Sequence, residues 1–323
     1  MKGASSKTLL VAALIAAMAW ASTATAQKMP ASMEVGGASI GGGFYVMAGG
    51  IAKLLEAELK IPVTGAVTEG SRENIRLIDR KQVFMGIISS NNGYPGYHGL
   101  KGFDKKHPIA PIMGLYPHSF AYMTLPNSPV RKFADLKGKR VGVGTGRTWD
   151  AFMKPLYKAH GLTYKDIKPV YAGMGDLYTQ LGDGIIVATP GIVAGLSPIP
   201  GALRLHAEKG AAYFGPEPAA VEKVLQELPY MARIRISKDT PTFDKDIDTV
   251  DIGGPHVYVR ADADAELVYK VTKLLHKNLG NLAGEVRYFK YAEANPAVLT
   301  KDINVPFHPG AVRYWKEAGL WKR

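Results

Sequence analysis

The stretch Val35-Gly36-Gly37-Ala38-Ser39-Ile40-Gly41-Gly42-Gly43-Phe44-Tyr45 decides how this chain is read. Met33 and Val35 read as the end of a short strand. After Tyr45 the apolar residues Met47, Ile51, Leu54 and Leu55 fall on one helical face. Between strand and helix lies a glycine-rich corner whose backbone can come very close to a ligand. The first N–H groups of a helix have no intrahelical partner and carry partial positive charge, so such a corner attracts an anion. Taken alone, the stretch fits an empty turn equally well.

Two later corners of the same design change that balance. Ile61 to Val67 reads as a second strand, followed by Thr68-Glu69-Gly70-Ser71-Arg72-Glu73-Asn74 and the helical Ile75, Leu77 and Ile78. Ser71 is the expected N-cap, with Asn74 placed to reach back to it. Arg140 to Val143 reads as a strand ending in Gly144-Thr145-Gly146-Arg147-Thr148-Trp149, with Phe152, Leu156 and Tyr157 on one side of the helix that follows. Between these corners, Val83 to Ile88 is expected as a strand ending in Ser89-Ser90-Asn91-Asn92, and Gly93 to His107 as loop. Strands are also expected over Ile185 to Ala188, Arg233 to Ile236 and Val257 to Val259, and one long amphipathic helix over Leu267 to Leu282. Such alternation argues for α/β layering with mostly parallel strands.

The first 26 residues read as an export signal: basic Lys2 and Lys7, an apolar run from Leu9 to Trp20, and the small-residue cleavage site Ala24-Thr25-Ala26. That run is shorter than the ~20 residues a membrane span needs. An exported, soluble protein, cleaved near Ala26, is therefore expected. Removing 26 of the 323 residues leaves 297, enough for two lobes. The expected division is 27–120 for the first part of lobe 1, 121–253 for lobe 2, and 254–323 for the rest of lobe 1. Cysteine is absent, which excludes disulfides, thiolate catalysis and cysteine metal sites. Losing Lys2 and Lys7 takes the formal charge from +12 to +10. That surplus favours anionic partners, but the cations are spread along the chain and no nucleic-acid partner is expected.

In open α/β sheets, ligands bind outside the carboxyl ends of the strands. The candidate ligand-binding residues are therefore those of the corners: Ser39, Gly43, Phe44, Tyr45, Gly70, Ser71, Asn74, Ser90, Asn91, Thr145, Gly146, Arg147, Thr148 and Trp149. Backbone N–H groups and hydroxyls would donate to an anion, and Arg147 can pair bidentately with a carboxylate. Phe44, Tyr45 and Trp149 would wall the apolar part of the ligand. Enzyme readings fare worse. Gly37-Ala38-Ser39-Ile40-Gly41 matches the G-x-S-x-G nucleophile elbow, yet few mature residues precede Ser39 where that fold builds several strands. No phosphate-loop Gly-Lys-Ser/Thr follows the glycines, and the eight histidines show no metal-ligand spacing. His118 and His308 read as structural.

The corners resemble those of a known family. Ser39-Ile40-Gly41-Gly42-Gly43-Phe44-Tyr45 is similar to the "G-x-x-G-G-x-Y-Y" opening of the TAXI solute-binding proteins of TRAP (tripartite ATP-independent periplasmic) transporters. Thr68 to Asn74 resembles their "T-x-G-S-x-x-N", and Leu136 to Gly144 their "L-K-G-K-x-V-x-V-G". Asp246 to Val250 and His308 to Gly319 resemble their late segments. The resemblance implies a periplasmic-binding-protein fold of type II: two α/β lobes joined by a hinge, with the ligand cleft between them. It implies delivery of a small organic acid, a dicarboxylate, glutamate or a relative, to the membrane subunits of a TRAP transporter in the periplasm; a non-catalytic monomer without metal or organic cofactor is expected. Arg147 stands where the family has a small residue, and Asn91 where it commonly has Asp. Both changes make the pocket more positive and favour a plain carboxylate over a zwitterion. An exported serine hydrolase using Ser39 and a periplasmic sensory module remain the alternatives.

Overall fold

The computed structural model describes residues 29–38, 40, 43–100, 102–144 and 146–322, without the side chains of residues 146–148. The export signal, Ser39 and Thr145 thus lie outside the described residues, as do the side chains of Arg147 and Thr148.

The strands form two sheets. The first has the order β2 (Val63–Ala66), β1 (Met33–Gly36), β3 (Met85–Ser89), β13 (Pro255–Arg260) and β4 (Ile109–Gly114). β1 runs parallel to β2 and β3, and β13 runs antiparallel to β3 and β4. In the second sheet the order is β11 (Ala232–Ile236), β12 (Ile247–Asp251), β5 (His118–Thr124), β8 (Ala188–Ala194), β6 (Arg140–Gly142) and β7 (Lys168–Val170). Short strands β9 (Ser197–Pro198) and β10 (Ala212–Phe214) pair with β8 and β5. Only the β6 pairings with β7 and β8 are parallel there. The expectation of mostly parallel strands is corrected to two mixed sheets. The physical reason is that strands entering or leaving a lobe at the junction, β4, β5, β12 and β13, run against their neighbours.

The helices that place the site follow β1, β2, β3 and β6: α1 (Gly43–Leu59), α2 (Ser71–Asp79), α3 (Ser90–His98) and α4 (Gly146–Ala159). Helix α1 buries Met47, Ile51 and Leu55, the face the sequence marks as apolar. Helix α3 replaces the loop expected after Asn92. Its sequence, with Gly93, Pro95 and Gly96, is poor in helix formers. Packing overrides propensity: a Cβ on Gly93 would collide with the Tyr258 hydroxyl, and one on Gly96 would lie 2.9 Å from Ile75 Cδ1. The long helix expected over Leu267 to Leu282 is broken at Asn278 into Ala265–Lys277 and Leu279–Glu285. The strand expected at Ile185 to Ala188 begins only at Ala188 and runs to Ala194.

Lobe 2 is held by an aromatic cluster in which Tyr122 and Tyr157 share a 2.6 Å hydroxyl hydrogen bond and Phe133 stacks on His160. In lobe 1, Ile75, Ile78, Ile88, Ile109 and Tyr258 belong to one buried cluster. Among the described residues no helix is long and apolar enough to cross a membrane.

The chain passes from β4 to β5 over residues 115–117 and returns from β12 to β13 over residues 252–254. One carboxylate ties both passages. Asp251 Oδ1 accepts from the N–H groups of His118 (3.1 Å), Gly253 (3.1 Å) and Gly254 (3.0 Å), and Oδ2 lies 2.5 Å from Lys301 Nζ.

Candidate functional site

Because β1, β2 and β3 run the same way, the N-termini of α1, α2 and α3 lie at one edge of the first sheet. The N-terminal ends of three helix dipoles there favour negative charge. The corner glycines serve close approach. A Cβ on Gly36 would lie 2.7 Å from Asn74 Oδ1, and one on Gly37 would lie 3.0 Å from the Tyr45 backbone.

Gly70 caps α2, with φ of 94°, and Ser71 is the first helical residue. The expected Ser71 cap is thereby corrected by one position: glycine alone takes that backbone angle without strain. Asn74 does not reach back to Ser71. It is fully buried, and its Nδ2 points at three carbonyls, Gly37 O (2.8 Å), Ile87 O (2.9 Å) and Gly36 O (3.2 Å). Asn74 thus pins the end of β1 to β3. Thr68 Oγ1 adds a bond to Gly37 O (3.0 Å) and accepts from Gly70 N–H (3.1 Å).

Ser71 faces β3. Its Oγ accepts from Ser89 N–H (3.1 Å) and meets Ser89 Oγ at 3.0 Å. Ser89 Oγ donates to Asn91 Oδ1 (2.7 Å), and Asn92 Nδ2 donates to both (3.1 and 2.9 Å). Arg72 closes the chain with Nε to Asn92 Oδ1 (3.2 Å), its guanidinium lying over Phe103. Asn91 sits in the first turn of α3 and does not end a strand; β3 stops at Ser89. Ser90 is buried and donates its N–H to Gly254 O at 3.1 Å, so α3 starts against the return passage.

The third corner is built differently. Gly144 has φ of 75°, and a Cβ there would lie 2.5 Å from the Trp149 ring. Trp149 therefore lies on its own corner and against Phe152 (5.3 Å between rings), half-buried. Gly146, Arg147 and Thr148 form the first turn of α4. Phe44 and Tyr45 are half-buried in the first turn of α1.

Sequence reasoning missed Tyr288, which adjoins the first corner, and Tyr116 and Arg287, which pack on it. The Tyr288 ring lies 3.0–3.3 Å from where a Gly43 Cβ would stand, and it stacks on Tyr116 of the first passage at 5.8 Å. The Arg287 guanidinium lies 4.9 Å from the centre of the Tyr288 ring, and Nη2 donates to its hydroxyl at 3.4 Å. Burial pushes the Tyr116 phenol well up, the neighbouring Tyr288 adding to this and Arg287 opposing it. The only signal available was the basic-aromatic run Arg287-Tyr288-Phe289-Lys290-Tyr291. His308 is structural: Nδ1 accepts from Gly310 N–H and Nε2 faces Ala263 O at 3.1 Å. Among the described residues no group of His, Asp or Glu is placed to hold a metal ion.

Residues 35–319 match the NMT1-like family. The chain belongs to that family. Solved structures similar to this NMT1-like chain include the periplasmic aliphatic sulphonate-binding protein SsuA from Escherichia coli, 14% identical over 91% of this chain and 90% of that one, with a TM-score of 0.51. Another is the periplasmic sulfonate-binding protein SsuA from Methylobacillus flagellatus KT, 14% identical over 90% and 87%, also with a TM-score of 0.51. The NMT1-like chain has the expected fold: two α/β lobes of the type II periplasmic-binding-protein kind.

Proposed function

We propose that this NMT1-like protein is an exported, periplasmic solute-binding subunit of the TAXI kind, serving a TRAP transporter. It captures a small organic acid anion between its lobes and delivers it to the membrane permease. The observation that carries the reading is the gathering of the α1, α2 and α3 N-termini at one sheet edge, beside the linked Ser71, Ser89, Asn91, Asn92 and Arg72 side chains. That arrangement suits a carboxylate, which needs several charge-assisted hydrogen bonds to offset the water it loses. The two SsuA proteins, named for sulfonate binding, support the idea that this fold holds organic anions.

On this reading lobe 1 contributes Ser39, Gly43, Phe44, Tyr45, Gly70, Ser71, Ser90 and Asn91, with the buried Asn74 positioning them by holding β1 to β3. Lobe 2 contributes Thr145, Gly146, Arg147, Thr148 and Trp149. The hinge is the pair of passages over residues 115–117 and 252–254. Arg147, in the first turn of α4, supplies the full positive charge when the lobes close. Calorimetry with a panel of organic acids tests this. Wild type should bind at least one acid, and Arg147→Ala should weaken binding by roughly 2–5 kcal/mol, as for truncation of a buried charged pair. Lys at 147 should restore only part, since an ammonium cannot make the two-pronged contact. An Arg147→Ala protein that binds as tightly as wild type removes Arg147 from the site. Failure of every acid to bind removes the reading itself.

A further inference from the structure

Beside the passages between lobes lies a notch of about 130 Å³ that none of the corner residues lines. One wall is the β8–β9 turn of lobe 2, with Leu196 and Ser197; the other is the segment carrying Arg287, Tyr288, Lys290 and Tyr291. The walls are held close. Gly195 has φ of 68° and donates its N–H to Pro117 O at 3.0 Å, and a Cβ on it would lie 3.0 Å from Tyr291 Cβ. The notch is therefore built at a close approach of the β8–β9 turn to the first passage and to Tyr291.

Its charge is one-sided. Arg287 and Lys290 line it, and no carboxylate does. Other cations of the same lobe are paired with carboxylates, Lys53 with Glu285, Lys273 with Glu317 and Arg313 with Glu266. Among the described residues Arg287 and Lys290 have no carboxylate partner. Arg287 is instead oriented by the Tyr288 ring and hydroxyl. The nearby Asp251 is already engaged by Lys301 and three backbone N–H groups. Two uncompensated cations, one hydroxyl and tyrosine walls describe a pocket for an anion with some apolar surface. The volume admits on the order of four waters, which limits the occupant to a small one.

We propose that this notch is a second binding site, separate from the cleft, for a small oxyanion. Arg287 and Lys290 take the charge, Ser197 gives a hydroxyl from lobe 2, and Tyr288 and Tyr291 flank the body. A carboxylate and inorganic phosphate share this chemistry, and a ligand here bridges both lobes beside the hinge. The Tyr288 ring also lies 3.0–3.3 Å from where a Gly43 Cβ would stand, so one side chain borders both the notch and the first corner.

The test titrates the full chain with benzoate and with inorganic phosphate at fixed ionic strength, reading bound anion by equilibrium dialysis. Wild type, the Arg287→Gln/Lys290→Gln double variant and Ser71→Ala are compared. Both replaced cations are exposed, so the double variant should keep the wild-type melting temperature without anion. Saturable binding of either anion, weakened roughly tenfold or more in the double variant and retained in Ser71→Ala, supports the site. Tighter benzoate shows the tyrosine walls are used; tighter phosphate shows charge dominates. The proposal is overturned if neither anion binds saturably, if the double variant binds as wild type does, or if Ser71→Ala alone loses the binding. The last result would place the anion in the cleft.

Discussion

Each lobe ends a parallel strand in a glycine corner that starts a helix, and the two corners are held by different means. In lobe 1 the hold is polar and directional. One buried amide, Asn74 Nδ2, faces three carbonyls, and Thr68, Ser71 and Ser89 extend the network. In lobe 2 the described hold is the fit of a ring to a glycine: Gly144 takes a left-handed angle and Trp149 lies over it. Directional hydrogen bonds fix strand ends against one another, whereas an aromatic cover tolerates sliding. The difference teaches that the lobe 1 corner depends on hydrogen-bond geometry and the described part of the lobe 2 corner on the fit of one ring to one glycine.

The comparison breaks most easily at Asn74. Replacement by Ala takes the Nδ2 donor from the Gly36 and Ile87 carbonyls, leaves Gly37 O with Thr68 Oγ1 and opens a small void, a loss of about 2–4 kcal/mol. Urea denaturation of the variant measures it. A loss below about 0.5 kcal/mol, the range of a neutral surface change, would mean that Asn74 is not the pin.

Gly144→Ala probes the other corner and should cost less, roughly 1–3 kcal/mol, from the left-handed backbone and a displaced Trp149 ring. Its signature is optical. Tryptophan emission should change in this variant and stay put in Asn74→Ala, with buried Trp315, bonded to Ile112 O, as the internal reference. Unchanged emission in Gly144→Ala would show that Trp149 does not rest on the corner.

The corners were legible because they depend on glycine where no other residue fits: Gly70 and Gly144 have positive φ, and Gly36 and Gly37 sit under neighbouring atoms. The cap was misplaced by one residue because Gly and Ser are both acceptable caps, and only the backbone angle separates them. Helix α3 was illegible, since Gly93 and Gly96 weaken a helix locally and make sense only against Tyr258 and Ile75, far away in sequence. Strand directions in the mixed sheets depend on where the chain re-enters a lobe, which no local pattern encodes. Tyr288 reaches Gly43 from 245 positions downstream, and no spacing rule connects them.

Acid should leave the comparison itself intact while weakening both lobes, and this is the smallest expected effect. Burial pushes four histidine pKa values below the ordinary 6.5: His118 at the first passage, His160 in lobe 2, and His276 and His308 in lobe 1. The charge of Asp251 partly opposes this at His118. At His160, the Leu156 carbonyl and Glu217 do the same. Each folded pKa is depressed, so the unfolded chain binds the proton first and stability rises with pH. The contribution is complete above 6.5 and is lost as pH falls toward the folded values. Asp79 adds a second, lower step. Burial alone would raise its pKa, but Lys105, His107 and Arg260 outweigh that and hold it below 3.8, so its contribution is present above 3.8 and disappears beneath it. The melting temperature should therefore decline as pH drops through 6.5 and again in stronger acid. No histidine lies in either corner, so wild type, Asn74→Ala and Gly144→Ala should decline in parallel. A melting temperature that rises below 6.5 would contradict the sign, and a variant curve of different slope would show that its corner is coupled to a titrating group.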